Sequence, residues 1–250
     1  MKLSKIFISA LFLIIGILCL VPFLYIGTMS LSIDAYYEIF LSDFKYLSRF
    51  WLSLFLCSSV VFVQIIVSCL AGFAFAKCKF KGKNALYFAL IIIMVMPLQV
   101  TLVPNYTMFL QLGLLDTYWS LILPSMFLPL GAFILTQAFK AVPTEIMEAA
   151  MLDGANVFVV IFRIFASMNK SAVVCVSLLI FMDCWNMVEQ PVAYLKDYSK
   201  YPLSVILVYL PPETLTAHLV CCVLAVLPVL YLFLYFNKEL IEGISLGQVK

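Results

Sequence analysis

Long apolar runs separated by short polar loops dominate the chain. They lie at roughly 6–28, 52–76, 85–104, 118–138, 171–188 and 215–236. Five or six of them are long enough to cross about 30 Å of hydrocarbon as helices. Their apolar residues are contiguous and do not alternate with period two, as membrane-barrel strands would. The third run is close to the minimum length and holds Pro97 near its centre, and the sixth holds Pro228. The pattern predicts an all-α membrane protein of six transmembrane helices. It forms a single domain over 1–250, with no soluble domain attached and no internal repeat. The first run follows Lys2 and Lys5, as a secretory signal would. No small-x-small site follows cleanly and the run is long for a signal, so a retained span is expected.

Composition agrees with the pattern. Residues are 65% hydrophobic and only 11% charged, and mean hydropathy is +1.13. A soluble domain of this length would expose far more charge. The cations instead mark topology. Six spans put Lys2, Lys5, Lys77, Lys79, Lys81, Lys83, Lys140, Arg163, Lys170, Lys238 and Lys250 on one side, against Lys45, Arg49, Lys196 and Lys200 on the other. The imbalance of eleven to four places both termini in the cytoplasm. A net charge of +2 therefore gives no reason to expect nucleic acid. Eight cysteines form no CxxC pair; most sit in apolar runs and read as small buried hydrophobes. The lone His218 has no histidine or acidic neighbour at helical spacing, so no metal site is expected.

One polar stretch between the fourth and fifth runs is not required by the bilayer. Pro143 suits a first helical turn, and Glu145 and Glu148 stand near its N-terminal end, where negative charge is favoured. Ile146, Ala149 and Ala150 give a narrow apolar face, and Gly154 can take the left-handed conformation that ends a helix. The stretch predicts a short helix across the cytoplasmic face, joined through a turn to the base of the fifth span. Physics alone leaves two readings: a docking element, or a helix that rims the bilayer.

The residues Glu148-Ala149-Ala150, then Asp153-Gly154-Ala155, resemble the EAA loop of permease subunits of binding-protein-dependent ABC importers. Further pieces extend the resemblance in order along nearly the whole chain. They are Gly72-Phe73-Ala74-Phe75-Ala76-Lys77, Met96-Pro97, Val103-Pro104-Asn105-Tyr106, Leu112-Gly113-Leu114-Leu115-Asp116-Thr117, Trp185-Asn186, Tyr201-Pro202-Leu203 and the tail Gly243 to Lys250. Together they are similar to the carbohydrate-importer branch, near the smaller permease of maltose transporters. Two departures stand out. Ser167 and Ser171 occupy places where the family usually has proline, which predicts a straighter approach to the fifth span. Met187 stands where an acid is common, and Asp183 supplies an acid nearby.

The resemblance implies the type I ABC importer permease fold, with a coupling loop at about 140–170. ATPase coupling would fall to Glu145, Glu148, Ala149, Ala150, Asp153, Gly154 and Ala155. The implied partners are a second permease, making a heterodimer, two ATPase subunits, an extracytoplasmic solute-binding protein and the lipid membrane. The solute would be small and polar, a sugar by the family branch. The chain lacks a Gly-x-x-x-x-Gly-Lys-Ser/Thr loop, so ATP and Mg belong to the partner ATPase and the chain is a transport subunit, not an enzyme. The implied location is the inner (plasma) membrane.

Polar groups inside spans are costly and often functional. Gln64, Ser68, Gln99, Asp183 and Asn186 are thus candidates for a translocation path, with Trp185 as an aromatic platform for a sugar. Interhelical hydrogen bonding is the plainer account of Gln64 and Ser68. Two other functions fit less of the sequence. A secondary transporter would show matched halves and midplane acids, and only Asp183 approaches that. An inactive permease-like copy would not be expected to keep an intact EAA loop.

Overall fold

The computed structural model describes residues 2–31, 33–37, 39–40, 45–209 and 215–247. The described residues are helical and contain no strand. In chain order the helices are α1 (Lys2–Met29), α2 (Ile33–Tyr37), α3 (Lys45–Lys77), α4 (Lys83–Val95), α5 (Leu98–Gln111), α6 (Trp119–Met126) and α7 (Pro129–Ala141). They continue as α8 (Thr144–Leu152), α9 (Val157–Met168), α10 (Lys170–Trp185), α11 (Glu189–Tyr194), α12 (Leu203–Tyr209), α13 (Leu215–Tyr235) and α14 (Asn237–Gly247). Four stretches are long and apolar enough to cross a membrane: Leu11–Met29, Tyr46–Lys77, Trp119–Ala141 and Thr216–Tyr235. Two bent pairs, α4 with α5 and α9 with α10, bring the number to six if each pair is one span. The tail residues 248–250, with Lys250, lie outside the described residues.

The centre of the molecule is α3 packed along α7 and α10. With 33 residues, α3 runs about 50 Å at 1.5 Å per residue. It begins well before the expected residue 52. Small residues let α3 and α7 touch. A Cβ on Gly72 would lie 3.0 Å from the Cβ of Leu135, and one on Gly131 would collide with the hydroxyl of Ser68. Close approach of this kind is how helices associate where no hydrophobic force separates protein from lipid. Near the end of α3, Phe73 and Phe139 meet Phe165 edge-on, at ring distances of 5.2 and 5.6 Å. Lys77 then donates to the carbonyl of Val142 just past α7, where a helix end favours a cation. In contrast, α1 packs against α13, and its residues Leu11 to Met29 are exposed but for half-buried Ile26. In a bilayer that apolar face meets lipid or another subunit.

Two expectations about span shape fail. The third run, 85–104, is not one helix. It breaks at Met96 and Pro97, both extended, and turns by 100° between α4 and α5. Proline at residue 97 removes a donor and disfavours helical geometry at Met96. The fifth run is not approached straight either. The chain bends by 89° between α9 and α10, at Asn169 (φ −112°, ψ 38°). Loss of proline did not straighten it, because the Asn169 side chain donates to the Phe165 carbonyl (2.9 Å) and supports the break. Ser171 spends its hydroxyl on Glu242 of α14 (2.7 Å).

Candidate functional site

Three backbone breaks converge in space. Met96-Pro97 ends α4, Phe127-Leu128 separates α6 from α7, and Asn186 ends α10. Leu128 is extended and Pro129 opens α7, so the break there follows from proline at a first helical position. Between the three lies a groove of about 560 Å³, next to a hollow of about 530 Å³ that shares Asp183 and Asn186 with it. Non-helical backbone at membrane depth is tolerated only within protein or along a water-filled cavity. A groove framed by three breaks is thus unsuited to lipid contact.

The groove gathers some of the candidate residues and not others. Asp183 and Asn186 line both parts, and Gln64 lines the inner part beside them. Gln64 is 1% exposed, and its Nε2 donates to the Leu128 carbonyl at the break (3.2 Å). Asp183 is exposed to the groove rather than buried against a neighbour. Gln99 lies at the rim, donating to both oxygens of Glu189 (3.1 and 3.2 Å). Ser68 is 1% exposed and sits at the α3–α7 crossing, which is the packing role. Trp185 is 6% exposed. Phe181 stacks on it, Phe50 meets it edge-on, and its Nε1 donates to the Ala225 carbonyl (3.1 Å). Its ring is therefore packed on two sides, and it lines a separate hollow with Asn186 and Leu203 rather than the groove. Sequence reading passed over Glu189, Asn105 and Ser125 as site residues, although all three line the groove. Glu189 carried a usable signal, an acid three residues beyond Trp185-Asn186.

The outer rim is clasped. Asp116 has φ 60°, a left-handed conformation that Asp tolerates better than most residues. Its carboxylate accepts from Lys200 Nζ (2.7 Å) and from the backbone N–H of Lys196 (3.0 Å) and Asp197 (3.1 Å). Lys200 Nζ also donates to the Asp116 carbonyl (2.7 Å). The Lys200 bond, then the two backbone donors, hold the Asp116 carboxyl down at about 2.

On the opposite side, α8 forms where expected. Pro143 stands just before the first turn rather than in it, and Glu145 occupies that turn. The inward face is Ile146, Met147 and Ala150, all packed on the main core. Ala149, expected on that face, is exposed beside Glu145 and Glu148. Leu152 is 89% exposed. The helix ends in a Schellman arrangement. Ala155 N–H donates to the Ala150 carbonyl (3.0 Å) and Gly154 N–H to that of Met151 (3.1 Å). Gly154 has φ +84°, as this ending requires. Asp153 is exposed and Ala155 half-buried. Asn156 then caps α9, accepting from Val159 N–H (2.9 Å). Within α9, residues Val160–Phe165 form a π-helix, and Phe165 reaches the aromatic cluster on α3 and α7.

No family model matches the chain, but individual proteins do. A crystal structure of a bacterial ABC transporter involved in the import of the acidic polysaccharide alginate contains a similar chain. It superposes with a TM-score of 0.84 over 95% of this chain and 96% of its own, at 19% identity. The fold is that of an ABC-importer membrane subunit. Arabinooligosaccharides transport system permease protein AraQ of Bacillus subtilis (strain 168) is 30% identical over 223 residues, covering 88% of this chain and 79% of that protein. Polygalacturonan/rhamnogalacturonan transport system permease protein YtcP of the same organism is 26% identical over 285 residues, covering 100% and 99%. The chain belongs to the permease subunits of carbohydrate-type ABC importers. It is a multi-pass inner-membrane transport subunit without catalytic function of its own, working with ATPase subunits and a solute-binding protein.

Proposed function

We propose that this subunit couples closure of the ATPases to alternating access for a small polar solute, a sugar, through six spans. The third and fifth spans are the bent pairs α4–α5 and α9–α10, and both termini are cytoplasmic. The chain pairs with a different permease to enclose the path, and α8 docks on an ATPase. Glu145, Glu148, Ala149 and Asp153 supply the outward surface of the coupling loop. Ala150, Gly154 and Ala155 hold its angle against the core. Gln64, Asp183 and Asn186 contribute this subunit's face of the path.

The observation that carries the proposal is the continuity from one side to the other. The exposed face of α8 leads through the Gly154 turn into α9. From there α10 ends at Asp183 and Asn186, in the groove. A push on α8 therefore has a continuous backbone route to the groove, through α9 and the bend at Asn169, that does not pass through α1.

Glu148→Arg tests docking, because it reverses charge on the exposed face and leaves the packed face alone. Copurified ATPase per permease, and solute-stimulated ATP hydrolysis, should both fall while membrane insertion persists. Parental values of both would remove the docking role of α8.

A further inference from the structure

The hydrogen-bonding character of the groove names a solute class, and the inference rests on the reading of the groove as this subunit's half of the path. Three amides at the groove each commit an N–H inside the protein, while the second N–H of Gln64 and Asn186 and the amide of Gln190, which also lines the groove, are left over. Gln64 Nε2 serves the Leu128 carbonyl, Asn186 Nδ2 the Met182 carbonyl (2.8 Å), and Gln99 Nε2 the Glu189 carboxylate. The hydroxyls behave likewise. Thr101 donates to the Leu98 carbonyl (2.9 Å) and Ser125 to that of Leu121 (2.8 Å).

Acceptors remain. Asp183 and Glu189 bring two carboxylates, which when ionised accept and do not donate. Among the described residues, none of those lining the groove is Lys, Arg or His. The second observation is independent of the acids. The Oε1 of Gln64, buried at the inner end of the groove, has no hydrogen-bond partner. A buried acceptor without a partner is costly and rare, and calls for a group to complete it.

We infer that this face of the path takes donor-rich saccharides without carboxylates, neutral or amine-bearing, and turns away uronates. Sugar hydroxyls or ammonium groups can donate to Asp183, Glu189 and Gln64. A uronate would bring a third negative charge to a cleft whose lining offers no cation, and clefts of one charge sign focus repulsion on like-charged ligands. The chain would thus differ in cargo from relatives named for acidic polysaccharides, despite a shared fold.

Two measurements on the complete importer test this. In a cysteine-free background with Thr101→Cys, rates of modification by a cationic and an anionic methanethiosulfonate reagent are compared. A cleft with one sign of charge concentrates opposite ions about tenfold or more. The cationic reagent should therefore lead by about that factor, and Asp183→Asn with Glu189→Gln should bring the ratio near one. A ratio near one in the Thr101→Cys parent overturns the inference. No turnover is needed, so a coupling loop that failed its own test would leave this ratio high. The second measurement uses the unaltered chain, reconstituted with its binding protein. Arabinotriose or a glucosamine trimer should stimulate ATP hydrolysis, and trigalacturonate should not. Stimulation by trigalacturonate, or by none of the three, overturns the inference.

Discussion

Gly154 offers a graded test of the coupling loop. At φ +84° it lies where side chains with a Cβ are strained, yet a Cβ built there meets nothing within 4 Å. Any cost of substitution is therefore backbone strain and not a clash. Placing an L residue in the left-handed region costs roughly 1–2 kcal/mol, with Asn and Asp better tolerated. β-Branched residues are true outliers there. The expected order of damage is Asn least, Ala intermediate and Val greatest. One to two kcal/mol changes a two-state ratio by a factor of about 5–30. If the Schellman turn must be formed for α8 to present its face, Gly154→Val should lower the ratio of docking-competent to incompetent subunits by about that factor. Gly154→Asn should stay within a few-fold of the parent. The assay is solute-stimulated ATP hydrolysis in proteoliposomes, with permease content and copurified ATPase measured on the same samples. Damage that rises with side-chain volume, so that Asn is worse than Ala, would refute the backbone argument. Equal activity in all three variants would refute the need for the turn.

Three other outcomes are expected. Gly131→Ala should lower the thermal midpoint in detergent, since over-packing costs about 1–3 kcal/mol; adding Ser68→Ala should restore much of it, because the colliding atom is the Ser68 hydroxyl. The Asp116–Lys200 clasp should hold across neutral pH: Asp116 is depressed from 3.8, so its contribution is full above that value and lost as pH falls toward about 2. Lys200 is raised above 10.5, so its contribution is full below that value and lost only in stronger alkali. Hydrogen exchange at the Lys196 and Asp197 amides reads this, and Asp116→Asn, which tolerates the same φ, should speed exchange severalfold. Lys81→Cys in a cysteine-free chain should resist a membrane-impermeant thiol reagent applied outside intact cells; labelling from outside would overturn the assigned orientation.

How much of this was legible in the sequence depends on the range of the interactions involved. Apolar runs located the long helices, because burial in lipid is decided residue by residue. The α8 helix and its ending at Gly154 were also legible, since a Schellman turn is local and glycine announces it. Bends were harder. Pro97 was visible in the third run, but the break it makes and its 100° angle were not, since the angle depends on what α4 and α5 pack against. Asn169 gave no warning, because its break is supported by a side-chain bond to the Phe165 carbonyl and not by proline. The groove was half legible. Gln64, Asp183 and Asn186 stand out as polar groups in apolar runs, whereas the packing of Trp185 did not, because a buried indole and a binding platform look alike in sequence. The clasp between Asp116 and Lys200, 84 positions apart, has no local signature.

The π-helix at Val160–Phe165 bears on how such a subunit can change over generations. A π turn holds one residue more than an α turn, so it behaves like an insertion that the helix has absorbed. Removing a single residue between positions 160 and 165 would let the segment close into ordinary α-helix. Because the extra residue is already absorbed, the helix on either side would keep roughly its relative facing. A residue gained or lost in the α-helical parts of α9 or α10 would instead turn α8 by about 100° relative to the groove it serves. Drift in length is thus better tolerated at this one wide turn than in the regular helix around it.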